Sequence, residues 1–252
     1  MPANLSPEYK SAEAEFRKAR EPRDRLHWLR EMLRTIPKHK GTDHLQADIK
    51  TRIKQLTEEL SGPRKGAAHG GPVTAIRPEG AAQVALLGPP NSGKSTLHAA
   101  LTGSHAQTGP YPYTTQYPQP GMLPFDDVLF QLLDLPPIHP EHPVPWIGGA
   151  LQQTDACLLA VDLSDPDCVD QVTALHAELG RRRVFLSGHW PGSTPEDERE
   201  VPEDPFAVLL PTLMLATKAD LIPSLADELV VFRELTGLDF QALPVSVETG
   251  LG

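Results

Sequence analysis

One short segment combines glycines, a lysine and hydroxyl side chains in a spacing that suits phosphate chemistry. It matches the pattern GxxxxGK[ST] in full. Glycines let such a loop curl so that several backbone N–H groups converge on phosphate oxygens, and a following helix adds its positive dipole end. Lys94 would supply charge to the β- and γ-phosphates, and the Ser95 hydroxyl would ligate Mg²⁺. The segment therefore predicts a nucleotide-phosphate site formed by Gly88, Pro89, Pro90, Asn91, Ser92, Gly93, Lys94, Ser95 and Thr96.

The elements around this loop have the order that such a site requires. An apolar run over 84–87 precedes the loop, and a helix is expected over 94–102. Further strand candidates are 128–133, 157–161, 213–216 and 243–247, with helix candidates at 169–179 and 224–235. Short apolar runs that alternate with helices indicate a mostly parallel sheet with helices on both faces, so an α/β fold is expected.

A second motif could recognise the base of a nucleotide. Thr217, Lys218 and Asp220 follow a strand candidate directly, at the sheet edge where α/β folds form their ligand sites. The acceptor-only carboxylate of Asp220 can receive both the N1–H and the N2–H hydrogens of guanine, a pair that adenine does not offer. The segment 246–250 lies at the end of the last strand candidate. The order of the motifs favours a guanine nucleotide, and Asp220 argues against the alternative of an ATP site.

Together these motifs resemble those of the P-loop GTPases, with TKAD at 217–220 in the place of NKxD. The segment YPYTTQYP at 111–118 is similar to the YPFTTxxP switch I of Obg-related GTPases. Asn91, the segment TIPKHKGT at 35–42 and the helical region ahead of the loop resemble those of the developmentally regulated GTP-binding (DRG) proteins. The resemblance implies a Ras-like GTPase domain, GTP and GDP as ligands with Mg²⁺, slow hydrolysis of GTP, and work with ribosomes or RNA in translation or ribosome assembly.

The resemblance also implies roles for individual residues. Asp134 would hold Mg²⁺ through water beside Ser95, and Thr115, rather than Thr114, would close onto Mg²⁺ and the γ-phosphate. Asn91 either helps to place K⁺ beside the phosphates, where a cation would offset charge in the transition state, or is an ordinary loop residue. The catalytic residues implied are thus Lys94, Thr115 and Asn91, and the metal ligands Ser95, Thr115 and Asp134.

Base contacts are implied in the same way. Lys218 would pack over the base while Asp220 reads it, and Ser246 and Val247 would contact guanine O6 through the backbone. The predicted base-contact set is Thr217, Lys218, Asp220, Ser246, Val247 and Glu248.

The third motif departs from the pattern of the family. The chain has Asp134-Leu-Pro-Pro137-Ile138 where GTPases have DxxG followed by glutamine. Pro137 has no N–H to donate to a γ-phosphate, and Ile138 cannot position water. A low intrinsic hydrolysis rate or a weak distinction between GTP and GDP is therefore expected. The alternative is a guanine-nucleotide-binding scaffold with little or no hydrolysis.

Charge and composition divide the chain into modules. Residues 1–65 carry 15 basic and 10 acidic residues, whereas residues 66–252 carry 8 and 23. We predict a basic α-helical hairpin over 1–62, a Gly/Pro-rich linker over 63–82, and the GTPase domain over 83–252. The basic front suggests an anionic partner such as a ribosome or RNA, with ordinary surface charge as an equally open explanation. Nothing in the sequence indicates an oligomeric state.

Several protein classes do not fit the composition. The chain has no apolar run of 18 residues and no signal-peptide pattern, and its cysteines, Cys157 and Cys168, form no CxxC pair. A cytoplasmic protein without a membrane span, zinc site or disulfide scaffold is therefore expected. Many of the 27 prolines lie in the loop and switch segments and predict stiff switches. A Ras-like domain needs one more helix after Gly252, so a truncated domain is expected.

Overall fold

The computed structural model describes residues 5–19, 21–37, 40–60, 76–104, 117–139, 143–191 and 204–252. The chain divides into two compact units, Met1–Gly71 and Pro72–Gly252. The described part of the first unit is helical, and the second contains the sheet. No described helix has both the length and the apolar character needed to cross a bilayer.

The described part of the first unit, predicted as a helical hairpin, contains three α-helices. They are α1 (Pro7–Lys18), α2 (Pro22–Thr35) and α3 (Asp43–Leu60), with one 3₁₀ turn before α3. The side chain of Ser6 caps α1, since Oγ accepts from the Tyr9 N–H, and it also donates to the Thr35 carbonyl at 3.0 Å. Because Thr35 ends α2, α1 and α2 are antiparallel. Pro22 starts a separate helix, since proline suits a first helical turn.

The second unit is built on a seven-stranded sheet. Its strands are β1 (Ala82–Leu87), β2 (Gln119–Phe125), β3 (Val128–Asp134), β4 (Ala156–Asp162), β5 (Val184–Ser187), β6 (Val208–Thr217) and β7 (Ala242–Pro244). The strand order is β2-β3-β1-β4-β6-β5, and β7 also pairs with β6. Every pairing is parallel except that of β2 with β3. The predicted mostly parallel sheet is thus confirmed.

Helices cover both faces of this sheet. They are α4 (Lys94–Thr102), α5 (Ile147–Leu151), α6 (Cys168–Arg181) and α7 (Leu225–Thr236). Neighbouring residues of β1 point to opposite faces, so Leu86 joins a small core with Leu97 of α4, whereas Leu87 joins a larger core with Val172 of α6 and Phe232 of α7. Both faces of β1 are therefore buried, as the continuous apolar runs predicted.

Two strands and one helix were not predicted from the sequence. The edge strand β2 contains Pro120, Gly121 and Pro124, which are unfavourable inside a sheet but tolerated at its edge. β5 and α5 are only four and five residues long. The positions of all three elements depend on pairing or packing with residues distant in sequence rather than on a local pattern.

Candidate nucleotide-binding site

The predicted motifs meet at one edge of the sheet. β1, β3, β4 and β6 run in parallel, so their carboxyl ends lie along the same edge. The phosphate loop follows β1, while Asp134, Asp162 and Thr217 are the last residues of β3, β4 and β6. This is the position in which open α/β sheets bind their ligands.

Three residues with positive φ shape the phosphate loop. They are Gly88 (φ 153°), Asn91 (φ 59°) and Gly93 (φ 83°). A Cβ atom at Gly88 would lie 2.3 Å from the Ala160 carbonyl oxygen and 2.8 Å from Ser92 Oγ. Only glycine fits there, because the loop passes directly against the backbone of β4. Asn91 is exposed and adopts the left-handed conformation that asparagine tolerates better than most residues.

The ammonium group of Lys94 lies inside the loop. The residue is 6% exposed, and Nζ donates a 2.7 Å hydrogen bond to the Pro89 carbonyl. Burial lowers the pKa of Lys94 to about 8, while the carboxylate of Asp134 acts in the opposite direction. A buried cation favours an incoming anion, since a phosphate would restore much of the stabilisation that water no longer provides.

Ser95 and Asp134 form the part of the site that suits a metal ion. Ser95 Oγ donates to Asp134 Oδ2 at 2.6 Å, and Asp134 is 1% exposed. A hydroxyl and a carboxylate beside a phosphate loop fit Mg²⁺, which takes one or two carboxylates and fills its other positions with water and phosphate oxygens. The described residues contain no cluster of three His, Cys, Asp or Glu side chains that could hold a metal alone. Thr114 and Thr115 lie outside the described residues.

Thr217 connects the base-recognition motif to the phosphate loop. Its Oγ1 donates to the Ser92 carbonyl at 2.8 Å, and both residues are buried. The threonine that stands in place of the usual asparagine therefore still joins the end of β6 to the loop.

The two predicted base-contact segments lie side by side. The Val245 N–H donates to the Ala216 carbonyl at 2.9 Å, and the Ala219 N–H donates to the Val245 carbonyl at 3.2 Å. Ser246 is buried, and its Oγ accepts from the Thr249 N–H. Asp220 is exposed in the 3₁₀ turn that follows β6. Val247 and Glu248 are exposed as well.

Asp162 is a part of the site that the sequence did not indicate. Asp162 Oδ2 lies 2.6 Å from Lys218 Nζ, and Oδ1 accepts hydrogen bonds from the N–H and Oγ of Ser164. Burial by itself raises the pKa of Asp162, but the hydrogen bonds from Lys218 and Ser164 outweigh it and hold the pKa below its ordinary value.

The segment after Asp134 is anchored in the hydrophobic core. The Leu135 N–H donates to the Leu86 carbonyl at 3.3 Å, and Leu135 and Ile138 belong to the larger core. Ile138, which stands where GTPases have glutamine, is 3% exposed. Pro137 is buried too. The side chain of Ile138 therefore contributes to packing.

Part of the chain is similar in sequence to known GTPases. Residues 83–186 match the model of the 50S ribosome-binding GTPase family. Developmentally-regulated G-protein 1 of Arabidopsis thaliana is 42% identical over 108 residues, which are 43% of this chain and 27% of that protein. GTP-binding protein 1 of Schizosaccharomyces pombe is 31% identical over 167 residues, 64% of this chain and 45% of that protein. The chain thus spans less than half the length of these relatives.

Among solved structures, Era of Aquifex aeolicus bound to GDP and AlF₄⁻ aligns over 68% of this chain and 52% of that one. The TM-score is 0.45 and the sequence identity is 18%.

Proposed function

We propose, from the premise that this chain belongs to the P-loop GTPases of the developmentally regulated type, that it binds GTP and GDP with Mg²⁺ and hydrolyses GTP slowly. The convergence of the phosphate loop, Asp134 and the segment 217–220 at one sheet edge carries the proposal. The Ser95–Asp134 contact and the bond from Thr217 to the loop join these parts directly.

Phosphate binding is assigned to the loop 88–96. In our proposal its N–H groups and Lys94 hold the phosphates, and bound nucleotide displaces the Pro89 carbonyl from the lysine. Ser95 and Thr115 would hold Mg²⁺, and Asp134 would hold it through water. The ion would neutralise phosphate charge as the terminal phosphoryl group leaves. The buried cation and the hydroxyl–carboxylate pair support this assignment.

Base recognition is assigned to the two adjacent segments after β6 and β7. In our proposal Asp220 accepts two hydrogen bonds from guanine and Lys218 packs over the base. Ser246 and Val247 contact guanine O6 through the backbone, and Glu248 belongs to the same segment. The support for this is the pairing of Val245 with Ala216 and Ala219, which brings both segments to one rim, and the exposure of Asp220.

Slow hydrolysis follows from the segment after Asp134. Pro137 cannot donate an N–H to the γ-phosphate, and Ile138 packs in the core where it cannot hold a water molecule. Asn91, exposed at the loop, is the proposed neighbour of a K⁺ ion. The scaffold alternative is not favoured, because the family model that matches this chain is that of a GTPase.

Single-turnover hydrolysis tests the activity. The full chain is mixed with a limiting amount of GTP in Mg²⁺, and phosphate release is followed in KCl and in NaCl. We expect slow release that is faster in KCl and that disappears in Ser95→Ala. Binding of GTP without phosphate release in either salt would contradict hydrolysis, and equal rates in the two salts would contradict the role of K⁺.

The helical unit is the proposed contact to a ribosome or RNA. Its surplus of basic residues supports an anionic partner, and Lys10, Arg23 and Arg30 are exposed on α1 and α2. Co-sedimentation with ribosomes should weaken as salt rises, and more so in Arg23→Glu/Arg30→Glu. Co-sedimentation that changes neither with salt concentration nor with these substitutions would refute this contact.

A further inference from the structure

The ion pair between Asp162 and Lys218 points to a residue that prepares the base site. Lys218 Nζ lies 2.6 Å from Asp162 Oδ2. The side chain of Asp162 is 10% exposed, whereas that of Lys218 is 41% exposed. The carboxylate is thus the buried, fixed partner, and the lysine extends from it toward solvent at the rim of the site.

The position of Asp162 is fixed by contacts other than the one with Lys218. It ends β4, which pairs with β1 on one side and β6 on the other, and it lies opposite Thr217 in the register of β4 and β6. Its Oδ1 is occupied by the N–H and Oγ of Ser164, which leaves Oδ2 for Lys218. Each carboxylate oxygen therefore has its own partner, and the orientation of the group is set.

The conformation and flexibility of Lys218 explain why an anchor matters for ligand binding. Its backbone adopts φ 52°, ψ 36°, which sends the chain into the turn that carries Asp220. A lysine stem is long and flexible, and its freedom is lost when a ligand packs against it. An anchor at Nζ removes that freedom before the ligand arrives, so less entropy is lost on binding.

We propose that Asp162 is a positioning residue for the purine base: it fixes Lys218 so that the aliphatic stem forms a ready platform beside Asp220. The inference rests on the proposed guanine-nucleotide site. In this proposal Asp162 acts on the base through Lys218 and has no role in binding phosphate or Mg²⁺. It should therefore affect ligands that have a base and leave base-free polyphosphate unaffected.

The test compares two ligands in the full chain at fixed Mg²⁺. GDP carries a base, and inorganic tripolyphosphate occupies the phosphate loop without one. In Asp162→Asn the affinity for GDP should fall about tenfold, as expected for the loss of a charged hydrogen bond, while that for tripolyphosphate should stay within about twofold. Asp167→Asn is the matched control. Asp167 is exposed in the turn between β4 and α6, and its side chain makes no cap bond to α6.

Two further variants separate positioning from folding. Ser164→Ala removes only the hydroxyl that orients Asp162, so a smaller loss of GDP affinity, about threefold, is expected with an unchanged melting temperature. In a Lys218→Met background, Asp162→Asn should cause no further loss, since the two residues act as one unit.

The results distinguish this inference from the proposed function. If the wild-type chain binds tripolyphosphate but not GDP, the guanine site is wrong and the inference is overturned with it. If GDP binds to the wild type and to Asp162→Asn equally well, or if both ligands weaken together, only the role of Asp162 is overturned. A full further loss in the Lys218→Met background would also overturn it.

Discussion

Raising the pH should weaken nucleotide binding through Lys94, whose ammonium group is buried in the phosphate loop. Burial lowers the pKa of this lysine to about 8 in the nucleotide-free protein. A phosphate beside Nζ favours the charged form, so the bound lysine keeps its proton to a higher pH than the free one. Binding must therefore take up a proton once the pH rises through about 8, and the affinity falls with it.

The size of this effect follows from the pKa. With a pKa of about 8, Lys94 is protonated in roughly nine-tenths of the molecules at pH 7 and in roughly a quarter at pH 8.5. Affinity for GDP should then fall about fourfold over this range. Calorimetric titration with GDP and Mg²⁺ measures the affinity, and repeating it in buffers of different ionisation enthalpy counts the protons taken up.

Arginine at the same position provides the control. Lys94→Arg stays charged throughout this range, so any residual GDP binding should be independent of pH. A wild-type affinity that does not change between pH 7 and 8.5 would refute the reasoning. So would an equal decline in Lys94→Arg, since the titrating group would then lie elsewhere.

The metal site and the loop give two more predictions. Ser95→Ala removes the hydroxyl beside Asp134, so GDP affinity measured with Mg²⁺ should drop to the value that the wild type shows in EDTA. A variant whose GDP affinity still rises with Mg²⁺ as in the wild type would contradict the assignment of Ser95 as a metal ligand. Gly88→Ala would place a methyl group 2.3 Å from the Ala160 carbonyl, so its melting temperature should fall clearly, as expected for an overpacking cost of about 1–3 kcal/mol. Gly103→Ala is the control, because its φ is also positive but no atom of the described residues beyond its own chain neighbours lies within 4 Å of its Cβ position. Equal melting temperatures for the two variants would contradict the steric explanation.

Local spacing was sufficient for the phosphate loop and its helix. The predicted helix over 94–102 coincides with α4, because the glycine before Lys94 and the glycine after Thr102 mark both of its ends. The end of β3 at Asp134 and of β6 at Thr217 also followed from apolar runs that stop at polar residues. These features depend on residues that are close together in sequence.

The features that the sequence did not reveal depend on pairing between distant segments. Asp162 meets Lys218 only because β4 and β6 pair in a register that brings Asp162 opposite Thr217. The role of Ile138 as a core residue depends on a core to which residues of α5 and α6 also contribute.

Base preference tests the central claim most directly, because Asp220 is the residue proposed to distinguish guanine from adenine. The full chain is titrated with GDP and ADP, and Asp220→Asn with GDP and xanthosine diphosphate, whose C2 carbonyl suits an amide donor. Two hydrogen bonds to a charged carboxylate, at the low end of about 1.5 kcal/mol each, predict a preference of about a hundredfold for GDP over ADP. Asp220→Asn should reverse the preference toward xanthosine diphosphate. ADP binding as tight as GDP binding, or an Asp220→Asn variant that keeps the wild-type preference, would contradict the account.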